Sequence, residues 1–126
     1  LIKDVGVLEA AYDDAIGVTA AFNLNLLNHL NALIGANFAP RDWRHLARFN
    51  PGASRIEMHL VSRCRQVVRI PAAGVEITFE EGETIWTESS YKYEPAHLRD
   101  MLLRAGFDTS AQWQQEGFAL TLASAR

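Results

Sequence analysis

The chain has 126 residues, enough for one domain with its own core, and its 48% hydrophobic and 21% charged residues are typical of a globular protein. Its formal net charge of −3 argues against a binding surface for nucleic acid or for an anionic membrane. The single cysteine, Cys64, excludes an internal disulfide framework and is typical of a reducing compartment, so we expect a cytoplasmic location. No apolar run reaches the roughly 20 residues that a membrane span needs.

The first part of the chain is predicted to be helical. It begins with “LIKD” and no methionine, which reads as the end of a buried strand and predicts that the chain is a fragment. Helices are predicted over 5–14 and 17–35, the second ending at Gly35, a typical C-cap residue. The second helix carries an apolar stripe at helical spacing, formed by Phe22, Leu26, Leu27, Leu30, Leu33 and Ile34. A third, short helix is predicted over 39–52, because Pro40 is typical of a first helical turn.

The second part is predicted to be rich in strands. The predicted elements are strands over 55–63, 66–70, 75–80 and 83–93, a helix over 94–107, and strands over 111–115 and 118–124. Glu81-Gly82 lies between the strands 75–80 and 83–93 and predicts a hairpin or meander there. Glu116-Gly117 likewise joins the last two strands as a pair.

The segment “ETIWTESSYKY”, residues 83–93, raises a question about function. Strict alternation places Trp86, Glu88 and Ser90 on one face, with the last two about 7 Å apart. A face turned toward water is the simpler interpretation of this pattern. A polar binding site beside an indole ring is the alternative.

The common sequence templates for chemistry are absent. There is no glycine-rich nucleotide loop among the eight glycines, and the four histidines have no metal-ligand spacing. Cys64 lies in a turn without a histidine partner, which does not favour a nucleophile. The cluster Arg63, Arg65 and Arg69 is interpreted as a solvated hairpin tip. The residues by themselves therefore predict an α+β (α/β) domain without visible catalytic machinery.

A resemblance adds to this interpretation. The stretches “AYDDAIGVTAAFNLNLLNHLNALIGANF”, “SRIEMHLVS” and “GETIWTESSYKYEP” together resemble the C-terminal half of the histidine-specific, S-adenosylmethionine-dependent methyltransferases. The closing “WQQEGFALTLA” is similar to the last strands of that family, so the resemblance covers essentially the whole chain. The resemblance implies methylation of the α-amino group of L-histidine to hercynine, the first step of ergothioneine biosynthesis.

The resemblance also implies an organisation of the chain. Residues 1–16 would be the end of a methyltransferase sheet strand and a connecting helix, 17–91 an α+β histidine-binding domain, and 92–126 a helix and strand pair returning to the Rossmann-like methyltransferase sheet. In the family, the glycine-rich cofactor loop precedes the segment that corresponds to this chain. We therefore expect S-adenosylmethionine to bind the full-length enzyme and not these residues, and we expect the fragment to be inactive alone.

The family's substrate site is carried over to six positions. The resemblance assigns Tyr12 to the substrate carboxylate, Met58 to packing against the imidazole, and Glu88 with Ser90 to the imidazole nitrogens. It further places Thr19 and Phe22 in the pocket lining, although Phe22 also belongs to the apolar stripe. No catalytic residue and no metal ligand is assigned.

Two other functions stay open from the sequence. One is a stand-alone ligand-binding or regulatory module, and the other is a paralogous methyltransferase domain with another amine substrate. Glu88 and Ser90 favour histidine over another amine. Since a fragment would leave strand edges unpaired, we also expect it to dimerise through them.

Overall fold

The computed structural model describes all 126 residues as an α+β fold, as predicted. Its helices are α1 (Val5–Tyr12), α2 (Val18–Ile34) and α3 (Pro95–Arg104), with short 3₁₀ turns at Pro40–Asp42 and Pro71–Ala73. Its strands are β1 (Trp43–Asn50), β2 (Arg55–Ser62), β3 (Gln66–Ile70), β4 (Val75–Phe79), β5 (Thr84–Tyr91), β6 (Phe107–Gln115) and β7 (Phe118–Ala125). No helix combines the length and apolar character required to cross a membrane.

The long helix α2 begins and ends where local chemistry fixes its bounds. The Asp14 carboxylate accepts hydrogen bonds from the backbone N–H groups of Thr19 at 2.9 Å and Val18 at 3.0 Å. These bonds satisfy donors that the first helical turn leaves free, and they lower the pKa of Asp14 to about 2. Gly35 ends the helix in the left-handed conformation with φ 67°, as its position predicts.

The largest sheet has three antiparallel strands in the order β1-β2-β5. Helices α1 and α2 pack on one of its faces, and every β2 residue after Arg55 is buried. The core includes Leu27 from α2, Trp43 from β1 and Leu60 from β2, each at most 1% exposed. Burying one such side chain stabilises the fold by about 1.5–3 kcal/mol, so the contact fixes the helix on the sheet.

Two further antiparallel pairs complete the fold. Strands β3 and β4 form one two-stranded sheet, and β6 and β7 form the other beside α3. The predicted pairing of the last two strands is present, although both strands are longer than predicted. The outer side of the β6–β7 pair exposes large apolar side chains, among them Trp113, Phe118, Leu120 and Leu122.

The helix predicted over 39–52 is wrong. Only Pro40–Asp42 is helical, as a 3₁₀ turn, and Trp43–Asn50 is the edge strand β1. The alternation of Trp43, His45 and Ala47 as buried residues is a strand pattern. It was hidden because a histidine and an alanine occupy the inward positions instead of large β-branched residues.

The predicted hairpin between 75–80 and 83–93 is also wrong. Strand β4 pairs with β3, whereas β5 pairs with β2, and Glu81-Gly82 only turns the chain between two sheets. The apolar stripe predicted for α2 is displaced as well, because Phe22 is 72% exposed and Leu33 is 78% exposed. The side of α2 facing the sheet contains Leu27 and also Asn23, whose amide finds partners there.

A β-bulge changes which residues share a face of β5. Met58 lies opposite Glu88 and His59 lies opposite Trp86, so Thr87 has no partner in the ladder. Residues opposite each other in an antiparallel pair point to the same side, which puts Glu88 and Ser90 on the helix-covered face. Trp86 lies on the other face, where its ring stacks on His59 at 6.2 Å. The prediction that Trp86 shares a face with Glu88 and Ser90 is therefore wrong.

Candidate functional site

An open depression of about 320 Å³ lies between α1, the start of α2 and the middle of the main sheet. It is lined by Ala11, Tyr12, Val18, Thr19, Phe22, Met58 and Glu88. We call it the α1–β5 depression. Its volume is at the lower end of the range of about 300–1,000 Å³ that is usual for small-molecule sites.

The structure brings five of the six predicted site residues together in this lining: Tyr12, Thr19, Phe22, Met58 and Glu88. The sixth, Ser90, lies next to it, because its Oγ is 2.7 Å from the Tyr12 Oη. Residues from one helix, the next helix and two strands thus meet at one place. Their roles toward a ligand stay a prediction.

Glu88 and Met58 reach the depression from paired strands. They lie opposite each other across β5 and β2, on the face that α1 and α2 cover. Met58 is only 4% exposed and packs in a small core cluster with Leu8, Ala47 and Ile56. Glu88 is exposed and its carboxylate has no ion-pair partner among the residues of the chain, so it can accept a hydrogen bond from a ligand.

Tyr12 and Ser90 belong to a closed triangle with a residue that the sequence interpretation missed. The Lys92 ammonium donates to the Tyr12 Oη and to the Ser90 Oγ, both at 2.7 Å. The same ammonium lies 4.4 Å from the centre of the Tyr12 ring. Partial burial raises the pKa of Tyr12, but the hydrogen bonds from Lys92 and Ser90 outweigh this effect and lower it overall.

Lys92 follows β5 directly and continues its alternation. Its backbone N–H donates to the Ser54 carbonyl at 2.7 Å, and the Ser54 hydroxyl donates to its carbonyl at 2.9 Å. These contacts hold the backbone extended past the last ladder pair. The spacing Glu88, Ser90, Lys92 therefore places a carboxylate, a hydroxyl and an ammonium along one side, which was the signal available in the sequence.

A buried polar chain behind the depression holds Tyr12 in place. The Asn23 amide donates to the His45 Nδ1 at 3.0 Å and to the His59 carbonyl at 3.2 Å. Because the His45 Nδ1 accepts, its Nε2 carries the hydrogen and donates to the Tyr12 carbonyl at 2.7 Å. Neither Asn23 nor His45 was singled out from the sequence, since the contact joins a helix to a strand far along the chain.

The opposite face of the main sheet carries a separate charged cluster around Glu57, which is 3% exposed. Its carboxylate accepts from Asn50, Arg55 and Arg48, and it contacts the His59 Nε2 at 3.3 Å. Hydrogen bonds from Asn50 and Arg55 are the main reason why the pKa of Glu57 is lowered from 4.5 to about 2. This cluster does not contact the α1–β5 depression and is interpreted as structural.

The depressed pKa of Glu57 predicts a specific acid sensitivity. Its ionised form stabilises the fold fully above pH 4.5, and this contribution is lost as pH falls toward about 2. We expect Glu57→Gln to lower stability at neutral pH and to flatten the decline across this window, measured by urea unfolding at several pH values. Glu80→Gln, in an exposed pair with Arg65, is the control and should leave the profile unchanged. Equal pH profiles for the wild type and Glu57→Gln would contradict this assignment.

Comparison with known proteins identifies the family. The family model described as “Histidine-specific methyltransferase, SAM-dependent” matches residues 1–126. The chain is 42% identical over 125 residues to the histidine N-alpha-methyltransferase of Mycolicibacterium smegmatis. It is 40% identical over 126 residues to the enzyme of the same name from Mycobacterium tuberculosis. The chain belongs to the S-adenosylmethionine-dependent, histidine-specific methyltransferase family, and the resemblance stated from its motifs is confirmed.

These matches cover nearly all of this chain but less than half of each relative. Each alignment covers 98% of this chain but only 39% of the histidine N-alpha-methyltransferase concerned. A further relative, the N-methyltransferase benX of Aspergillus terreus, is 29% identical over 113 residues, which is 88% of this chain and 31% of that protein.

The family description names a dependence on S-adenosylmethionine. Methyltransferases of Rossmann type bind nucleotide cofactors where a glycine-rich loop joins a strand to a helix. The direct strand-to-helix connection here, from β5 to α3, consists of Lys92, Tyr93 and Glu94 and holds no glycine. We assign no residue of the chain to the cofactor.

Proposed function

We propose that the chain is the histidine-recognition part of a methyltransferase that converts L-histidine to hercynine by methylating its α-amino group. This reaction would belong to ergothioneine biosynthesis in the cytoplasm, and the chain alone is expected to be inactive. The observation that carries the proposal is the convergence of Tyr12, Met58 and Glu88 on one depression, with Ser90 beside it. Family membership gives these positions their proposed ligand.

The residues offer the contacts that a histidine molecule requires. Glu88 accepts from an imidazole N–H, and the Ser90 hydroxyl addresses the other ring nitrogen. Met58 packs against the flat ring as a polarisable apolar surface. Tyr12 donates to the substrate carboxylate, and Thr19 with Phe22 closes the side of the depression formed by α2.

These contacts contribute to catalysis through positioning. In the full-length enzyme, S-adenosylmethionine would supply the methyl group and the neutral α-amine of the substrate would accept it. Holding the substrate at its ring and at its carboxylate fixes where that amine lies. Glu88 and Ser90 serve the ring end in this proposal, and Tyr12 serves the carboxylate end.

We also propose the three-part organisation 1–16, 17–91 and 92–126. Supporting it, the three-stranded sheet with α2 lies entirely within 17–91, whereas α3, β6 and β7 form a unit of their own within 92–126. The apolar side chains exposed on β7 fit a strand pair that continues another sheet.

The test is methyl transfer by a family-length protein that contains this chain. Its kcat/KM is compared for L-histidine, for histamine, which lacks the carboxylate, and for L-phenylalanine, which lacks the ring nitrogens. We expect L-histidine to be preferred over both analogues by at least about tenfold, because each analogue loses a charge-assisted hydrogen bond worth about 1.5–3 kcal/mol. Equal use of L-histidine and L-phenylalanine would refute the proposal.

A second candidate is methylation of another amine by the same architecture. The relative that favours it is the N-methyltransferase benX, because its name specifies no histidine substrate and it still matches 88% of this chain. Preference for a different amine in the same assay would support this candidate.

A further inference from the structure

Lys92 carries a positive charge beside the proposed histidine site, and this charge has no counter-charge within the chain. Its half-buried ammonium takes part in none of the ion pairs that the carboxylates of the chain form. The ammonium donates only to two hydroxyl groups, the Tyr12 Oη and the Ser90 Oγ, both at 2.7 Å. Because an ammonium has three N–H donors, one donor and the charge itself stay available to a ligand.

A half-buried ammonium without a counter-charge is an unfavourable arrangement. Partial burial removes water that would otherwise solvate the charge, and hydroxyl groups compensate for this loss less well than a carboxylate does. The position of Lys92 is nevertheless fixed, because its backbone exchanges two hydrogen bonds with Ser54 and its ammonium lies 4.4 Å from the centre of the Tyr12 ring. A cation held in place without an anion suits an anionic group of a ligand.

Lys92 lies close to the place where the proposed function puts the substrate carboxylate. Tyr12 lines the α1–β5 depression, and its hydroxyl is the group assigned to that carboxylate. A carboxylate oxygen bonded to this hydroxyl lies about 2.7 Å from the Tyr12 Oη. Since the Lys92 Nζ is 2.7 Å from the same Oη, the oxygen and the ammonium are then at most about 5.5 Å apart. Opposite charges within about 4–6 Å of each other stabilise both charged forms.

The arginines of the main sheet do not offer this charge. Arg44, Arg48 and Arg55 lie on the face of the sheet opposite the depression. Arg48 and Arg55 also form ion pairs with Glu57 there. Lys92 is therefore the cation that contacts the predicted site residues, through Tyr12 and Ser90.

Glu88 and Lys92 give the site two ends of opposite charge. Glu88 lines the depression and repels a carboxylate, whereas Lys92 attracts one beside Tyr12. This polarity matches L-histidine, whose ring carries an N–H donor and whose other end carries an anionic carboxylate. Resting on the proposed function, we propose that Lys92 is a specificity residue that supplies the counter-charge for the α-carboxylate of L-histidine.

The test measures the affinity of a family-length protein that contains this chain for L-histidine and for L-histidinamide, in which an uncharged amide replaces the carboxylate. The wild type should bind L-histidine at least about tenfold more tightly, because it loses a charged acceptor in the amide. Lys92→Gln removes the charge but keeps an N–H that can donate to the Tyr12 and Ser90 hydroxyl groups. Its affinity should fall about tenfold for L-histidine and less than about threefold for L-histidinamide.

Three further variants make the test specific. Lys92→Arg keeps the charge and should keep most of the preference for L-histidine. Lys92→Met is a second uncharged variant with the same expected split between the two ligands, so the result does not depend on one substitution folding. Arg65→Met removes one positive charge at an exposed position after β2 and should leave both affinities unchanged.

The possible failures point to different causes. Equal losses for both ligands in the uncharged variants would overturn the proposal, because they would show only that Lys92 ties α1 to the end of β5. No loss for either ligand, or equal binding of the two ligands by the wild type, would overturn it as well. Failure of the wild type to bind L-histidine at all would instead refute the proposed function, so the two failures are distinguishable.

Discussion

Replacing Glu88 with alanine is expected to lower kcat/KM for L-histidine by about tenfold to 150-fold in a family-length protein that contains this chain. A hydrogen bond between an N–H and a charged acceptor contributes about 1.5–3 kcal/mol, and Glu88 is the acceptor that we assign to the imidazole. The preference for L-histidine over L-phenylalanine should fall by a similar factor, because the phenyl ring forms no hydrogen bond with the Glu88 carboxylate. The measurement is kcat/KM for both amino acids in the wild type and the variant.

Two further variants make this prediction specific. Glu88→Gln keeps the shape and an accepting oxygen without the charge, so an intermediate loss is expected. Glu81→Ala removes an exposed carboxylate from the β4–β5 turn, outside the α1–β5 depression, and should leave both constants unchanged. If Glu88→Ala discriminated against L-phenylalanine as well as the wild type does, Glu88 would not recognise the ring.

The exposure of Glu88 limits what the 126 residues can do alone. A carboxylate in contact with water gains little from exchanging a water molecule for an imidazole N–H, and it loses little when left unpaired. We therefore expect the isolated chain to bind L-histidine weakly. Discrimination requires that Glu88 be shielded from water when the substrate is bound.

Local sequence signals predicted those elements whose ends are fixed by their own residues. Helix α2 ends at Gly35 because glycine adopts the left-handed conformation there, and Pro95 begins α3 in its first turn. Strand β1 was not predicted because it forms by pairing with β2. The inward residues His45 and Ala47 have no strong intrinsic preference for the strand conformation. Pairing between distant segments is a tertiary property, which is also why β4 was given the wrong partner.

The same distinction between local signals and tertiary contacts applies to the candidate site. The resemblance gave Tyr12, Glu88 and Ser90 as separate positions, but only the fold shows that the Tyr12 and Ser90 oxygens are in contact. The bulge at Thr87 places Trp86 on the opposite face of the sheet from Glu88, and no residue type in that stretch specifies a bulge. Lys92 was within reach of the sequence, because period-two alternation continues from Glu88 through Ser90 to it.

The buried series of hydrogen bonds from Asn23 through His45 to the Tyr12 carbonyl predicts a second large effect, a loss of stability in His45→Phe. In His45→Phe, the Asn23 amide and the Tyr12 carbonyl both lose a partner in a region where water cannot easily replace it. Leaving buried polar groups unsatisfied costs about 1–3 kcal/mol, so the free energy of unfolding should fall by that amount. Urea denaturation of the wild type and the variant measures it.

The effect of His45→Phe on L-histidine binding distinguishes a residue that positions Tyr12 from an ordinary core residue. Because His45 holds the backbone of Tyr12, His45→Phe should also lower L-histidine affinity in the folded protein, whereas Asn28→Gln, at an exposed position of α2, should change neither quantity. In a double-mutant cycle with Asn23→Leu, the two losses should be less than additive, since both variants break the same chain. Additive losses, or unchanged affinity in His45→Phe, would show that Tyr12 is positioned by α1 alone.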